Sequence, residues 1–415
     1  MIRAPHLYSS LRAFCLAAFA VAFRELDEGG DLPFAFEEHH GAGRPTLYEY
    51  RPLVRPFLET RAQRLGALPD AETALAELER EPAAAIFVRH SGAGAGSRAA
   101  LVQFVLLPLL EETAEACGGF DWSDEAFDRA YARLERSVFG TQRAYGAVAP
   151  VVGLSAGAML DLGGGMRLRH VATGEIAAHW PQARGLLPES FEREPDRLCV
   201  LELEQALPAE ADVPDAPGEL ADCVTALRLA NAGAIAAGPV LFERIDWRPF
   251  AIRPMLPIAA TAPAGEPVRI DPVTGERARR LRERLPLADD DRELGEALDR
   301  WELSLFQGDP FASEQLRGSL TALLGGGEGL FAASLRAAAL LGETPRERAA
   351  LLERLRLLAA GDAAVATADL VRRALVHVLE NGERRKLVVA LDEALLGLRP
   401  KQNVRLAPVA AVGAL

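Results

Sequence analysis

Apolar residues recur every three or four positions along much of this chain, the spacing that lines one face of a helix. The pattern is densest in the last third. There it predicts helices over Ala278–Leu285, Arg292–Phe306, Ser313–Leu324, Leu330–Leu341, Glu347–Leu358, Ala368–Leu379 and Arg384–Leu396. Helix breakers separate them: Asp309-Pro310, Gly325-Gly326-Gly327, Gly342, Gly361-Asp362 and Asn381-Gly382. Thr344 is placed to cap a helix whose first residue, Pro345, has no N–H to leave unsatisfied. In the first 150 residues the same period marks Ala71–Glu81, Leu101–Ala116 and Glu125–Phe139. The last of these puts Phe127, Tyr131, Leu134 and Val138 on one face, behind Ser123 as a hydroxyl N-cap. Ala13–Phe23 reads as a buried N-terminal helix: it is shorter than the roughly 20 apolar residues a bilayer span needs, and no small-residue cleavage site follows. Ala83–Arg89 is a short apolar run suited to a buried strand.

Between Val151 and Ile270 the pattern shortens. Met159–Leu162, Met166–Val171, Leu198–Leu203, Arg253–Ala260 and Val268–Ile270 look extended, with Gly163-Gly164-Gly165 as a tight hairpin turn and Pro208–Pro217 as an acidic surface loop. Glu266–Glu276, carrying Pro267, Pro272 and Gly275, makes a boundary. The expected class is α+β: residues 1–270 form a mixed region with short antiparallel strands, and residues 275–400 form an all-α bundle.

The chain's 415 residues, 49% hydrophobic and 25% charged, are ordinary globular composition and enough for two domains. A formal net charge of −13 disfavours sequence-independent binding to nucleic acid or to an anionic membrane. Cys15, Cys117, Cys199 and Cys223 form no C-x-x-C pair and match no zinc spacing; they read as reduced thiols of a cytoplasmic protein, with no metal and no cofactor. Four local patterns have ordinary structural explanations. Arg89–Arg98 places glycines between an apolar run and a helix, but no Lys-Ser/Thr follows, so it is a loop rather than a phosphate cradle. Glu37-Glu38-His39-His40 has no spaced partner for a metal. Gly153-Leu-Ser155-Ala-Gly157 precedes a strand and reads as a loop, not a nucleophile elbow. His170 and His179-Trp180 read as packing or surface groups.

Several segments together resemble the Apea-like HEPN family. Tyr145–Leu154 followed by Met159–Arg169 looks like that family's strand pair around a Leu-Gly-x-Gly turn, and Glu175 stands at the expected helix start. Val224–Gly233 (VTALRLANAG) is similar to its "vtALRLlkpG" segment; Ser319–Leu324 and Leu335–Gly342 resemble "ALEALLL" and "lRaAlLLG". The resemblance covers roughly Phe120 to Pro400 and implies a HEPN-like helical bundle at the C-terminus. Active members carry Arg-x(4–6)-His, in which Arg stabilises charge on a phosphate and His moves a proton without a metal. Here Arg372-Arg373-Ala-Leu-Val-His377 has that spacing. It lies on a helix, where five positions turn about 140°, and Arg372, Arg373 and His377 fall largely opposite the apolar face formed by Leu370, Val371, Ala374, Leu375 and Val378. The family places its motif earlier, near Leu355–Val365, where Arg356 has no following histidine; Thr321 stands where an acid is expected. Arg373, Arg384, Arg385 and Lys386 are candidate phosphate contacts, and Arg384-Arg385-Lys386 also reads as an exposed helix start. Three readings follow: a non-catalytic module binding RNA or protein, linked through the resemblance to stress or phage defence; a metal-independent endoribonuclease using Arg372 and His377, formed as a homodimer through the bundle; or an acidic scaffold with no nucleic-acid role. None involves a membrane.

Overall fold

Helix α1 (Pro5–Asp27) opens the chain in the computed structural model, which describes residues 4–39, 47–84, 88, 98–140, 142–171, 175–176, 180, 183–187, 198–208, 211–246, 248–255, 266–361 and 365–398. Pro5 sits in its first turn, and Leu7, Leu11, Phe14, Cys15, Ala18, Phe19 and Ala22 recur at helical spacing on its buried side. By length and composition α1 could span a bilayer; in this structure that side is part of the core. An antiparallel pair, β1 (Phe34–His39) and β2 (Leu47–Pro52), follows. Then come α2 (Val54–Glu59), α3 (Ala62–Gly66), α4 (Pro69–Arg80), α5 (Arg98–Leu101), a π-helical turn at Val102–Leu106, α6 (Leu107–Cys117) and α7 (Asp124–Phe139). The π turn precedes Pro108, which cannot donate to the carbonyl one turn back. Ser123 caps α7 by accepting from the Ala126 N–H at 3.3 Å. These helices share one core, in which Phe14, Phe57, Leu75, Leu109 and Phe127 are fully buried. The strand expected over Ala83–Arg89 is not present where the structure describes it: Ala83, Ala84 and Val88 are helical. Alanine-rich sequence favours that state over a strand.

The middle of the chain is an antiparallel sheet. Its elements are β3 (Gln142–Val152), β4 (Leu154–Ala156), β5 (Leu160–Asp161), β6 (Met166–His170), a short helix α8 (Ala183–Leu186), β7 (Cys199–Pro208), helix α9 (Ala216–Asn231), β8 (Ala236–Ala237), β9 (Val240–Ile245), β10 (Arg248–Pro254) and β11 (Val268–Ile270). The strand order is β10-β9-β3-β7-β6-β5, with β8 also on β3; β11 pairs parallel with β4. Gly163, Gly164 and Gly165 all take positive φ in the β5–β6 turn, as a tight connection requires. Strand β3 is buried from Tyr145 to Val152, so it reads as a continuous apolar run rather than an alternating one.

Glycine 146 has a specific task within β3. It lies opposite Arg244 of β9 and Glu204 of β7, and a Cβ there would stand 2.6 Å from Arg244 Nε. Without it, the Arg244 guanidinium crosses the strand to Glu202 (2.9 Å) and Glu204 (2.7 Å). Arg169 joins the same network through Glu202 and Glu175, and Arg167 through Glu204. A second network is buried at Glu243, which accepts a short hydrogen bond from the Tyr145 hydroxyl and a bidentate pair from Arg253 at 2.6 and 2.8 Å.

The chain divides into two units: Met1–Ala221 with Ile235–Pro272, and Asp222–Ala234 with Val273–Leu415. The second is all helical: α9 from Asp222 onward, α10 (Pro272–Arg282), α11 (Leu287–Asp290), α12 (Arg292–Ser304), α13 (Phe311–Leu324), α14 (Leu330–Leu341), α15 (Pro345–Arg356) with a 3-10 turn to Ala360, α16 (Val365–Asn381) and α17 (Arg384–Leu395). Thr344 and Glu347 form a full capping box on α15, with Pro345 in the first turn. Trp301, Leu320, Leu324, Ala337, Val371, Leu375 and Leu379 fill its core. The fold is therefore α+β, with an antiparallel sheet in the middle of the chain and helices at its C-terminal end.

Asp222–Ala234, which the sequence places with the first region, belongs to the helical unit because of its polar side chains. Arg228 donates to Glu302 of α12 at 2.8 Å, and Thr225 Oγ1 donates to the same carboxylate oxygen at 2.7 Å. The Arg228 guanidinium also stacks over Phe306, 4.9 Å from its ring centroid.

Candidate functional site

The sequence directs attention first to α16. It is one uninterrupted helix from Val365 to Asn381, which includes Arg372 and His377. Arg373 is exposed and His377 half-buried, but Arg372 is only 9% exposed. This corrects its expected place on the solvent side. Its Nε and Nη2 donate to Asp369 at 2.9 and 2.6 Å, and its Nη1 donates to the Leu229 carbonyl at 2.6 Å. A helical wheel counts only the faces of its own helix, whereas Arg372 is buried by the end of α9. All three nitrogens of its guanidinium are thus engaged in structural contacts.

The basic start of α17 separates in the same way. Arg384 is buried, not exposed: Nε binds Asp291 at 2.8 Å, Nη2 binds Glu293 at 2.8 Å, and Nη1 reaches the carbonyls of Ala322 and Leu323. Arg336 of α14 takes the next two carbonyls, Leu324 and Gly325, at 2.9 Å each, and pairs with Asp392. Two guanidiniums therefore satisfy the last carbonyls of α13, where the helix dipole favours positive charge. Burial pushes Asp291 up, but the Arg384 hydrogen bond and the Leu294 N–H outweigh it and hold the carboxyl below its usual range. Arg385 is 81% exposed, 3.9 Å from Glu293, and Lys386 pairs with Glu383 at 2.7 Å. A cavity of about 410 Å³ lies here, lined by Arg384, Arg385, Glu293, Gly326 and Gly327 among others.

The other patterns carry no chemistry of their own. Gly153–Gly157 is not a loop: Leu154–Ala156 is strand β4, paired with β11, and it lacks the strand-to-helix turn of a nucleophile elbow. His170 Nε2 donates to the Ala156 carbonyl at 2.8 Å, which leaves Nδ1 to accept from the Cys199 thiol 3.7 Å away. Cys199 is 5% exposed, and burial pushes its thiol up, so it stays protonated. Trp180 is buried against Phe242, their rings 5.2 Å apart. Glu37, Glu38 and His39 lie in β1. Residues 89–97, His40 and His179 lie outside the described residues. Among the described residues no group of three or more His, Cys, Asp or Glu side chains is arranged to hold a metal ion.

A second charged concavity has no counterpart in the local sequence patterns. It is a cleft of about 670 Å³ in the first unit, between α6, α7 and one end of the sheet. Helix α6 lines it with Glu111, Glu112 and Glu115, α7 with Arg133, Arg136 and Ser137, and the sheet with Arg143, Glu204, Arg244 and Asp246. Arg133 donates to Glu112 Oε1 at 2.6 Å, while Glu112 Oε2 is buried without a hydrogen-bond partner. Burial pushes Glu111 up to about 8, against the nearby Arg55, and Glu112 up to about 7, against Arg133. Burial lowers Arg143, with Asp246 opposing. Asp246 holds the β9–β10 turn at φ +58 and accepts from the Ala144 N–H at 3.0 Å. The signal in the sequence was Glu111, Glu112 and Glu115 interrupting the otherwise apolar helix 105–117. Their significance lay in the arginines of α7 and β3, which no local pattern links to them.

Compared with protein-family models, with curated proteins and with solved structures, the chain finds no match.

Proposed function

We propose that this chain is a HEPN-like binding module that lacks the nuclease chemistry of that family, and that its helical unit contacts an RNA or protein partner. The observation that carries the non-catalytic reading is the state of Arg372. Stabilising a phosphoryl transition state requires a guanidinium whose donors face the substrate. Those of Arg372 face Asp369 and the Leu229 carbonyl. His377 sits five positions further along an uninterrupted helix, turned about 140° away. The start of α17 has the same character: Arg384 is an internal helix cap, which leaves Arg385 and Lys386 as the exposed cations there, with Arg373 exposed on α16.

The test is RNA cleavage in EDTA by the wild-type chain and by His377→Ala. Matching background rates support the module; a metal-independent activity abolished by His377→Ala overturns it and restores the endoribonuclease reading. Binding is read in parallel by fluorescence anisotropy with a labelled single-stranded RNA at two salt concentrations. Salt-dependent binding that weakens in Arg373→Glu/Arg385→Glu assigns RNA as the partner. No binding counts against RNA as the partner and leaves the protein-binding module and the acidic scaffold.

A further inference from the structure

The cleft between α6, α7 and the β3–β7–β9 end plays no part in that reading, and its chemistry points elsewhere. Its volume is that of a small-molecule site, and its walls differ in sign. Helix α6 presents carboxylates alone: Glu111, Glu112 and Glu115. Helix α7 presents Arg133 and Arg136 with the Ser137 hydroxyl, and the sheet adds Arg143 and Arg244 beside Glu204 and Asp246. Part of this charge is matched internally. Arg133 answers one oxygen of Glu112, and Arg244 is held by Glu202 and Glu204. On the acidic wall the other oxygen of Glu112 is buried with no donor. On the basic wall Arg136 is exposed, its Nε resting on the Ala132 carbonyl at 3.2 Å, and Arg143 is more than nine-tenths buried.

We propose that this cleft binds a small zwitterion, its primary ammonium donating to Glu112 between Glu111 and Glu115, and its carboxylate accepting from Arg136 and Arg143. The direction of the burial effects agrees. Ionised Glu111 and Glu112 are disfavoured on one wall, and charged Arg143 on the other; a ligand carrying both signs relieves both at once. A simple anion leaves Glu112 Oε2 without a donor, and a simple cation makes no use of the exposed Arg136. The same chemistry is offered by a free α-amino acid and by a short peptide with unblocked ends.

The experiment is calorimetric titration of the full chain at pH 7.5 with glycine, L-lysine, glycylglycine and alanylalanine, each compared with its N-acetyl and C-amide forms. The expected result is saturable binding by at least one unblocked probe, weakened about tenfold or more when either end is blocked, as loss of one charge-assisted hydrogen bond requires. Preference for glycine or lysine identifies a free amino acid; preference for the dipeptides identifies a peptide. Arg136→Gln, a surface change, and the isosteric Glu112→Gln each weaken binding about tenfold, while Glu353→Gln on α15 leaves it unchanged. Circular dichroism verifies that each variant is folded. The proposal is overturned if no unblocked probe binds, if blocked forms bind as well as unblocked ones, or if binding survives both substitutions in folded protein.

Discussion

Arg228 and Glu302 form an ion pair at 2.8 Å in which the side chains are 3% and 5% exposed. They lie 74 positions apart in sequence. A buried pair of this kind is weak evidence of added stability when intact, yet removing one member strands a charge. Arg228→Met and Glu302→Leu are each expected to destabilise the helical unit by about 3–5 kcal/mol. The double variant should lose clearly less than the sum of the two. Urea unfolding of the full chain, with a double-mutant cycle, measures the difference.

Arg372 tests whether α16 carries structure or catalysis. Arg372→Ala leaves Asp369 and the Leu229 carbonyl without their donors and is expected to destabilise by about 2–4 kcal/mol. Arg372→Lys should restore little of this, because an ammonium cannot hold the carboxylate and the carbonyl in one planar fork. His377→Ala should lower the melting temperature by much less than either.

In the sheet, Gly146→Ala places a methyl group where Arg244 Nε now passes. The side chain must swing aside and lose Glu202 or Glu204, so a loss of about 1–3 kcal/mol is expected. Gly146→Ala combined with Arg244→Ala removes the clash and should cost no more than Arg244→Ala alone.

Acidity offers a further test in the first unit. Glu111 is pushed from 4.5 up to about 8. It is faced by Arg55 and Glu59 from α2 and by Glu112 and Glu115 on its own helix. The folded state thus holds a proton that the unfolded chain releases. That contribution to stability is fully present below about pH 4.5 and is lost as pH rises through about 8. Glu111→Gln should flatten this part of the curve and raise the melting temperature at pH 8.5 by several degrees. Thermal melts between pH 5 and 9 decide it.

The helical unit was largely legible in the sequence because its signals are local. Thr344-Pro345 with Glu347, the glycines at 325–327 and the period of Leu330–Leu341 all act within a turn or two of themselves. Ser123 and the Gly163–Gly165 turn were legible for the same reason. Strand β9 was missed: Val240–Ile245 carries a charge at Glu243, whose burial depends on Tyr145 98 positions away. Helix α9 concealed its allegiance likewise, since Arg228 inside an apolar stretch makes sense only beside Glu302. The charged cleft is the extreme case, with acids from a helix, a strand and a turn meeting arginines from another helix and two strands. Spacing along the chain carries no trace of such a meeting.

The placement of Asp222–Ala234 also bears on how the protein is made. This stretch leaves the ribosome before Glu302 and Arg372: Glu302 follows Arg228 by 74 residues, and Arg372 follows Leu229 by 143. At roughly 5–20 residues per second, Arg228 waits on the order of 4–15 s for its counter-ion and Leu229 about twice as long for its donor. During that interval the nascent chain carries an unmatched arginine within an apolar helix while the strands on either side of it are already seeking their places. A fragment beginning at Val273 never receives that helix, and Glu302 within it stays alone.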